Sequence, residues 1–222
     1  MTNRVVEILL DSFSKILVPG LLVTIPLAII SFALAMVIAI VTALIRYANV
    51  KVLKDIVRFY VWFVRGTPLL VQLYVIFFGL PQLGILIDPF PCAVIVFALN
   101  EGAYCSETIR GALMAVPEGQ IEAGYCVGMN FVQIMYHIVL PQAIRSAFPA
   151  LANSLIGMVK DTSLAANITV SEMFMVTQRI VARTYEALAL YIELAFVYLL
   201  FSTVLTKIQS IVEKKLNQRM GQ

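Results

Sequence analysis

Between Lys15 and Arg46 the chain carries no charged side chain. An apolar run of that length exceeds the roughly 20 residues a helix needs to cross the hydrocarbon core of a bilayer. The composition extends this constraint to the rest of the chain. Hydrophobic residues make up 61% of it, charged residues 13%, and the mean hydropathy is +0.92, whereas soluble domains run near half apolar and about a quarter charged. The 222 residues therefore read as an all-α integral membrane protein whose unit of construction is the span. A net charge of +3 is too small to argue for a nucleic-acid partner, and none is expected.

Five spans are expected, at about 16–45, 67–80, 90–112, 149–170 and 187–205. Pro19 and Pro26 loosen the upper end of the first. Its Ser31, Ala35, Ala39 and Ala43 lie four apart, a small-residue stripe along which another helix can approach closely. The second span is extended backward by "FYVWFV" ahead of Arg65. The interfacial stretch 1–15 and the residues just after it place Val5, Val6, Leu9, Leu10, Phe13, Ile16 and Leu17 at helical spacing with Arg4, Glu7, Ser12 and Lys15 between them. That is the pattern of an amphipathic helix lying in the interface. Glu7, Asp11 and Lys15 interrupt what a cleavable signal would need as its apolar stretch.

Loop charges set the orientation. Arg46, Lys51, Lys54, Arg58 and Arg65 fall between spans one and two, Arg110 and Arg145 between three and four, and Lys207, Lys214, Lys215 and Arg219 after the fifth. The turn "PQLGILIDPFP" has neither Lys nor Arg. Positive loops stay inside, so the N-terminus is expected outside and the C-terminus in the cytosol. The tail, 206–222, continues the last span as a basic helix near anionic lipid. No internal repeat is visible, and five unpaired spans do not fit a carrier made of two inverted halves within one chain.

On the inner side the greasy pattern is interrupted by "GQIEAGYCVGMNFVQIMYHIVLPQ", residues 119–142. Pro117 and Glu118 suit the first turn of a helix, and Gly128 suits its left-handed end. Asn130 then caps a second helix, "FVQIMYHIVL", with Phe131, Ile134, Met135, Ile138 and Val139 on its apolar face. Leu140 precedes Pro141 and is expected outside the helix, which allows a bend into span four. The product is a stiff two-helix corner, at 117–141, presenting Glu122.

The spacing Glu122-Ala123-Gly124-x-x-x-Gly128, then nine residues, then Ile138-x-Leu140-Pro141 resembles the EAA loop of permease subunits of ABC importers. Gly124 stands where that motif has Ala, which is expected to loosen the first helix slightly. "RGTPLLVQL" (65–73), "LNEGAYCSETIRGAL" (99–113) and "VKDTSLAANI" (159–168) extend the resemblance to the polar-amino-acid branch of the family, with the cystine-type permeases nearest. The resemblance implies a single permease domain, 1–222, in a bacterial cytoplasmic (inner) membrane. Glu122, Ala123, Gly124, Gly128, Ile138, Leu140 and Pro141 would couple it to ABC ATPase subunits. It also implies a second permease chain, identical or homologous, and an extracytoplasmic substrate-binding protein docking on the outer loops near 80–91 and 171–186. The cargo would be an amino acid. The chain has no GxxxxGK[ST] sequence, so ATP and magnesium belong on the partner ATPase and no cofactor is expected here.

Polar residues within spans mark pathways or buried pairs. Asn100, Tyr104, Glu107 and Gly111 share one face of span three with Glu101 beside it. Glu107 and Arg110, three apart, form either an ion pair or a substrate contact. Glu101 lies deeper, where a carboxylate could meet a substrate ammonium group. Asn153, Gly157, Lys160, Asp161 and Leu164 lie near one face of span four; Lys160 and Asp161, with Thr162 and Ser163 after them, read as a gate or pathway lining or as a structural cluster. Glu193 is expected to hydrogen-bond a neighbouring helix. His137 lacks partners at metal spacing, and Cys92, Cys105 and Cys126 read as small apolar side chains. No HExxH, GxSxG or nucleophile–base set is present, so no catalytic residue or metal is expected. The alternative is an ion- or proton-gradient-driven carrier or channel using Glu101, Lys160 and Asp161, which leaves the 117–141 corner without a role.

Overall fold

The computed structural model describes residues 2–219, and every regular element among them is helical. Residue 1 of the expected interfacial helix and 220–222 of the expected tail lie outside the described residues. Helix α1 (Thr2–Pro19), a π turn (Gly20–Thr24) and α2 (Ile25–Tyr47) follow one another without a break. The amphipathic stretch and the first span therefore share one helical run. Then come α3 (Leu53–Arg65), α4 (Leu69–Tyr74), a second π turn (Val75–Gly79) and a 3₁₀ turn (Leu80–Leu83). Helices α5 (Pro89–Met114), α6 (Glu118–Cys126) and α7 (Phe131–Ile134) precede a third π turn (Met135–Val139) and α8 (Leu140–Asp161). A 3₁₀ segment (Thr162–Ile168), α9 (Met173–Thr184) and α10 (Ala187–Arg219) complete the order.

Among the described residues two helices are long and apolar enough to cross a membrane, Arg4–Tyr47 and Ala187–Leu216; Leu53–Arg65 with Leu69–Leu83 makes a third if the pair is one broken span. The break corrects one expectation. "FYVWFV" does not run on into the second span, because Gly66 ends α3 with its N–H donating to Trp62 O at 3.0 Å. The Pro68 ring disfavours helix in Thr67 before it, and Pro68 itself is extended (φ −64°, ψ 138°) at the N-cap of α4.

A second correction concerns Leu140, which stays helical (φ −60°, ψ −43°), so the chain runs from α7 into α8 without a bend out of helix. Three prolines share one solution. Pro26, Pro81 and Pro141 each lie two residues after the end of a π turn. A proline ring collides with the carbonyl four residues back; widening the helix to a π turn relieves the collision without ending the helix. Thus Leu140 N–H donates to Met135 O, five residues back.

The chain gathers into two compact units, each assembled from several stretches. One comprises Met1–Ala33, Pro68–Phe97 and Leu155–Lys207. Its apolar core includes Ile16, Leu27, Leu73, Phe97, Ile168, Met173 and Val197. Ser12 Oγ donates to Glu193 Oε2 at 2.5 Å, the helix-to-helix hydrogen bond expected of Glu193. The other unit comprises Leu34–Thr67, Ala98–Ser154 and Ile208–Gln222. Within it Ala35, Ala39 and Ala43 are fully buried. A Cβ on Gly102 would lie 2.9 Å from Ile38 Cγ2 and 3.3 Å from Ala35 O, so α5 approaches α2 on this stripe more closely than any larger residue permits.

Candidate functional site

The 117–141 corner lies in the second unit and is rigid for local reasons. Pro117 is extended and hands over to α6, with Glu118 in the first turn where the helix dipole favours an acid. At the far end Gly128 takes φ +83°. Its N–H donates to Tyr125 O at 2.9 Å, and Met129 N–H donates to Gly124 O at 3.1 Å, so the last carbonyls of α6 are satisfied as a left-handed terminus allows. Asn130 then closes a reciprocal capping box: Gln133 N–H donates to Asn130 Oδ1 at 3.0 Å and Asn130 N–H donates to Gln133 Oε1 at 2.9 Å. Gln142 Nε2 ties the two helices together, donating to Gln120 Oε1 at 2.5 Å and to Ile138 O at 2.9 Å.

Packing fixes the angle between those helices. Ile134 and Val139 are buried with Ala112, Leu113 and Val116, flanked by Met135, Ile138 and Leu140. Phe131, expected on the same apolar face, is instead 53% exposed. Gly124 is buried, and a Cβ there would sit 2.9 Å from Ile134 Cγ1 and 3.1 Å from Ile138 Cδ1. The glycine in place of the motif's alanine therefore allows a close contact, beyond any loss of helix propensity. The outer surface carries exposed Glu122 and Ala123 among exposed Tyr125, Val127, Phe131, Val132 and Tyr136. The corner thus presents to solvent one carboxylate together with several large apolar side chains. His137 is exposed and meets the Tyr136 ring edge-on at 5.0 Å.

The residues of 100–107 lie in the same unit. Glu107 receives both Arg46 of α2 and Arg110, the latter at 2.9 Å. The pair read from spacing is thus a three-member cluster, and Arg46, distant in sequence, is the member spacing could not supply. Cys105 Sγ donates to Glu101 Oε1 at 3.3 Å. Asn100 is buried, and the half-exposed Tyr104 ring lies under the Arg65 guanidinium at 5.1 Å. Lys160 and Asp161 belong to the other unit, exposed at the end of α8, and neither forms an ion pair among the described residues. Thr162 and Ser163 follow in the 3₁₀ segment, their hydroxyls donating to Val159 O at 2.7 Å and Lys160 O at 2.8 Å. No group of three or more His, Cys, Asp or Glu that could hold a metal occurs among the described residues.

One buried acid was not singled out from sequence. Glu172, between spans four and five, is fully buried and caps α9, accepting from Phe174 N–H at 2.9 Å and Met175 N–H at 2.7 Å, with Tyr198 Oη at 3.4 Å. Burial raises its carboxyl to about 7, against the lowering effect of those hydrogen bonds. The available signal was an acid directly before the helically spaced Met173, Thr177 and Ile180.

Residues 35–218 match the family model for binding-protein-dependent transport system inner membrane components. The chain is 45% identical to the L-cystine transport system permease protein TcyB of Bacillus subtilis (strain 168), over 96% of this chain and 91% of that one. It is 37% identical to the octopine transport system permease protein OccM of Rhizobium radiobacter, over 89% and 84% of the two chains. In structure it superposes on a chain of the crystal structure of an amino acid ABC transporter with histidines, with a TM-score of 0.87 at 31% identity, covering 93% of this chain and 96% of that one.

Proposed function

The chain belongs to the family of binding-protein-dependent transport system inner membrane components, and from that premise we propose that it is the permease subunit of an ATP-driven ABC importer of amino acids, with cystine the first cargo to test. The observation that carries this reading is the corner: two helices locked by a capping box, a left-handed glycine and a glutamine bracket, with Glu122 and several large apolar side chains exposed on it. Such a knob transmits displacement, because its own joints are filled by packing and hydrogen bonds. In this reading it sits in a groove of a separate ATPase, with Glu122 meeting a donor on that partner. Ala123, Gly124, Gly128, Ile138, Leu140 and Pro141 set its shape.

The chain crosses the membrane five times with its N-terminus outside, as the distribution of Lys and Arg supports. It forms half of an alternating-access pathway and pairs with a second permease chain, and an extracytoplasmic binding protein delivers the substrate. ATP and magnesium act on the ATPase. Glu101, held by Cys105 on α5, and Asn100, Tyr104, Lys160, Asp161, Thr162 and Ser163 contribute to pathway or gate. Glu107 is committed to its two arginines.

The test is a pull-down of the tagged chain from mild-detergent membranes, wild type beside Glu122→Arg. An ATPase should accompany the wild type and be lost from the variant while membrane insertion is unchanged. ATP-driven uptake that survives in Glu122→Arg would sink the coupling role.

A further inference from the structure

Arg46 and Arg58 line two neighbouring cavities in the second unit. One, of about 370 Å³, is completed by Val61, Trp62, Arg65, Gly66 and Glu107. The other, of about 410 Å³, adds Lys54 and Arg110 among its cations and Glu118 as its acid. Among the described residues the positive charge here is only partly offset. Glu107 is shared by Arg46 and Arg110, whereas Arg58 and Arg65 have no carboxylate within 4 Å. A site in which cations crowd one another around one occupied carboxylate is suited to an anion.

The surroundings select the kind of anion. Helix α3 carries Arg58 and Arg65 on the cavity side. It also exposes Ile56 (60%), Phe59 (63%), Trp62 (68%) and Phe63 (51%), with Phe59 packed on Trp62 and on Phe63 at ring-centre distances of 5.7 and 6.2 Å. A free inorganic anion has no use for that aromatic strip. A phospholipid has both parts, a phosphate for the arginines and acyl chains for the rings, and aromatic side chains concentrate at the headgroup level.

We propose that the Arg46–Arg58–Arg65 cavity and the adjoining Phe59–Trp62–Phe63 face of α3 form a specific site for an anionic phospholipid of the inner leaflet. The proposal rests on the reading above only for the choice of leaflet. The cavity binds the phosphate diester through Arg58 and Arg65, and the aromatic strip lies along the glycerol and upper acyl chain. In that position the lipid bridges α3 to the loop-proximal ends of α2 and α5, next to the Glu118 end of the coupling corner.

Trp62 is the only tryptophan in the chain, which supplies the test. The purified full-length chain in nanodiscs is doped with either brominated phosphatidylglycerol or brominated phosphatidylcholine, and tryptophan fluorescence is read. The expected result is preferential quenching by the phosphatidylglycerol. In the Arg58→Gln/Arg65→Gln double variant its enrichment should fall roughly thirtyfold, as loss of two near-surface cations predicts. The Arg179→Gln/Arg183→Gln variant should keep the preference, and millimolar inorganic phosphate should not displace the lipid. Equal quenching by the two lipids in the wild type overturns the proposal, whatever the variants do. So does an unchanged preference in the Arg58/Arg65 variant. Cancellation by phosphate would instead assign the cavity to a small anion. None of these readouts requires transport or an ATPase, so failure here is distinct from failure of the importer reading.

Discussion

Gly128 and Glu172 each take their character from a conformation or an environment. Gly128 sits at φ +83° at the end of α6, where an L-residue with a Cβ loses about 1–2 kcal/mol. Gly128→Ala should lower the melting temperature by that cost, and Gly128→Asn should recover part of it because Asn tolerates the left-handed region. Equal melting of all three proteins would show that the corner relaxes freely. For Glu172 the folded carboxyl titrates near 7, against an ordinary value of 4.5. The folded state thus holds the proton more tightly than the unfolded chain. Its contribution is fully present below about pH 4.5 and is lost as pH rises through about 7, a change of a few kcal/mol at most. Melting curves across that window should show wild-type stability declining with pH, and Glu172→Gln should flatten the decline. An identical slope in the variant would assign the pH dependence to other groups.

At the scale of elements, the recurring device is a π turn ending two residues before a proline, at Pro26, Pro81 and Pro141. Each proline was visible in the sequence. The expectation at Pro141 was that Leu140 leaves the helix, because the residue before a proline disfavours that region. The helix instead absorbs the proline by widening, since continuing it keeps Val139 and Ala143 buried in one apolar core. Replacing Pro141 with Ala removes the collision that pins the π turn. Closure to a regular α-turn then rotates the corner by about 100° relative to α8. Pro141→Ala should therefore weaken ATPase docking in the pull-down without lowering the melting temperature. Intact docking, or docking lost together with stability, would contradict this account. Helix α9 was the element missed. The stretch 171–186 is expected only as an outer loop, whereas Glu172, directly before the helix, caps α9 through Phe174 N–H and Met175 N–H, and its burial comes from segments distant in sequence.

For the whole molecule, orientation is the open prediction. Cys126 on the corner is exposed while Cys92 and Cys105 are buried. A membrane-impermeant maleimide should label one cysteine in inside-out vesicles and none in right-side-out vesicles. The docked ATPase should protect that cysteine. Labelling from the outer side would reverse the proposed topology.

The residue pattern alone determined the membrane class, the helical content and the capped corner at 117–141. These depend on hydrophobic period, charge placement and residues with special backbone preferences, all of which act over a few positions. Only the tertiary structure decided that Glu107 is shared with Arg46, that Gly124 closes on Ile134, and that Glu172 is buried under α9. The physical reason is range. An ion pair, a close helix contact and a desolvated carboxylate are set by which distant segments meet, and spacing within one segment contains no term for its partner.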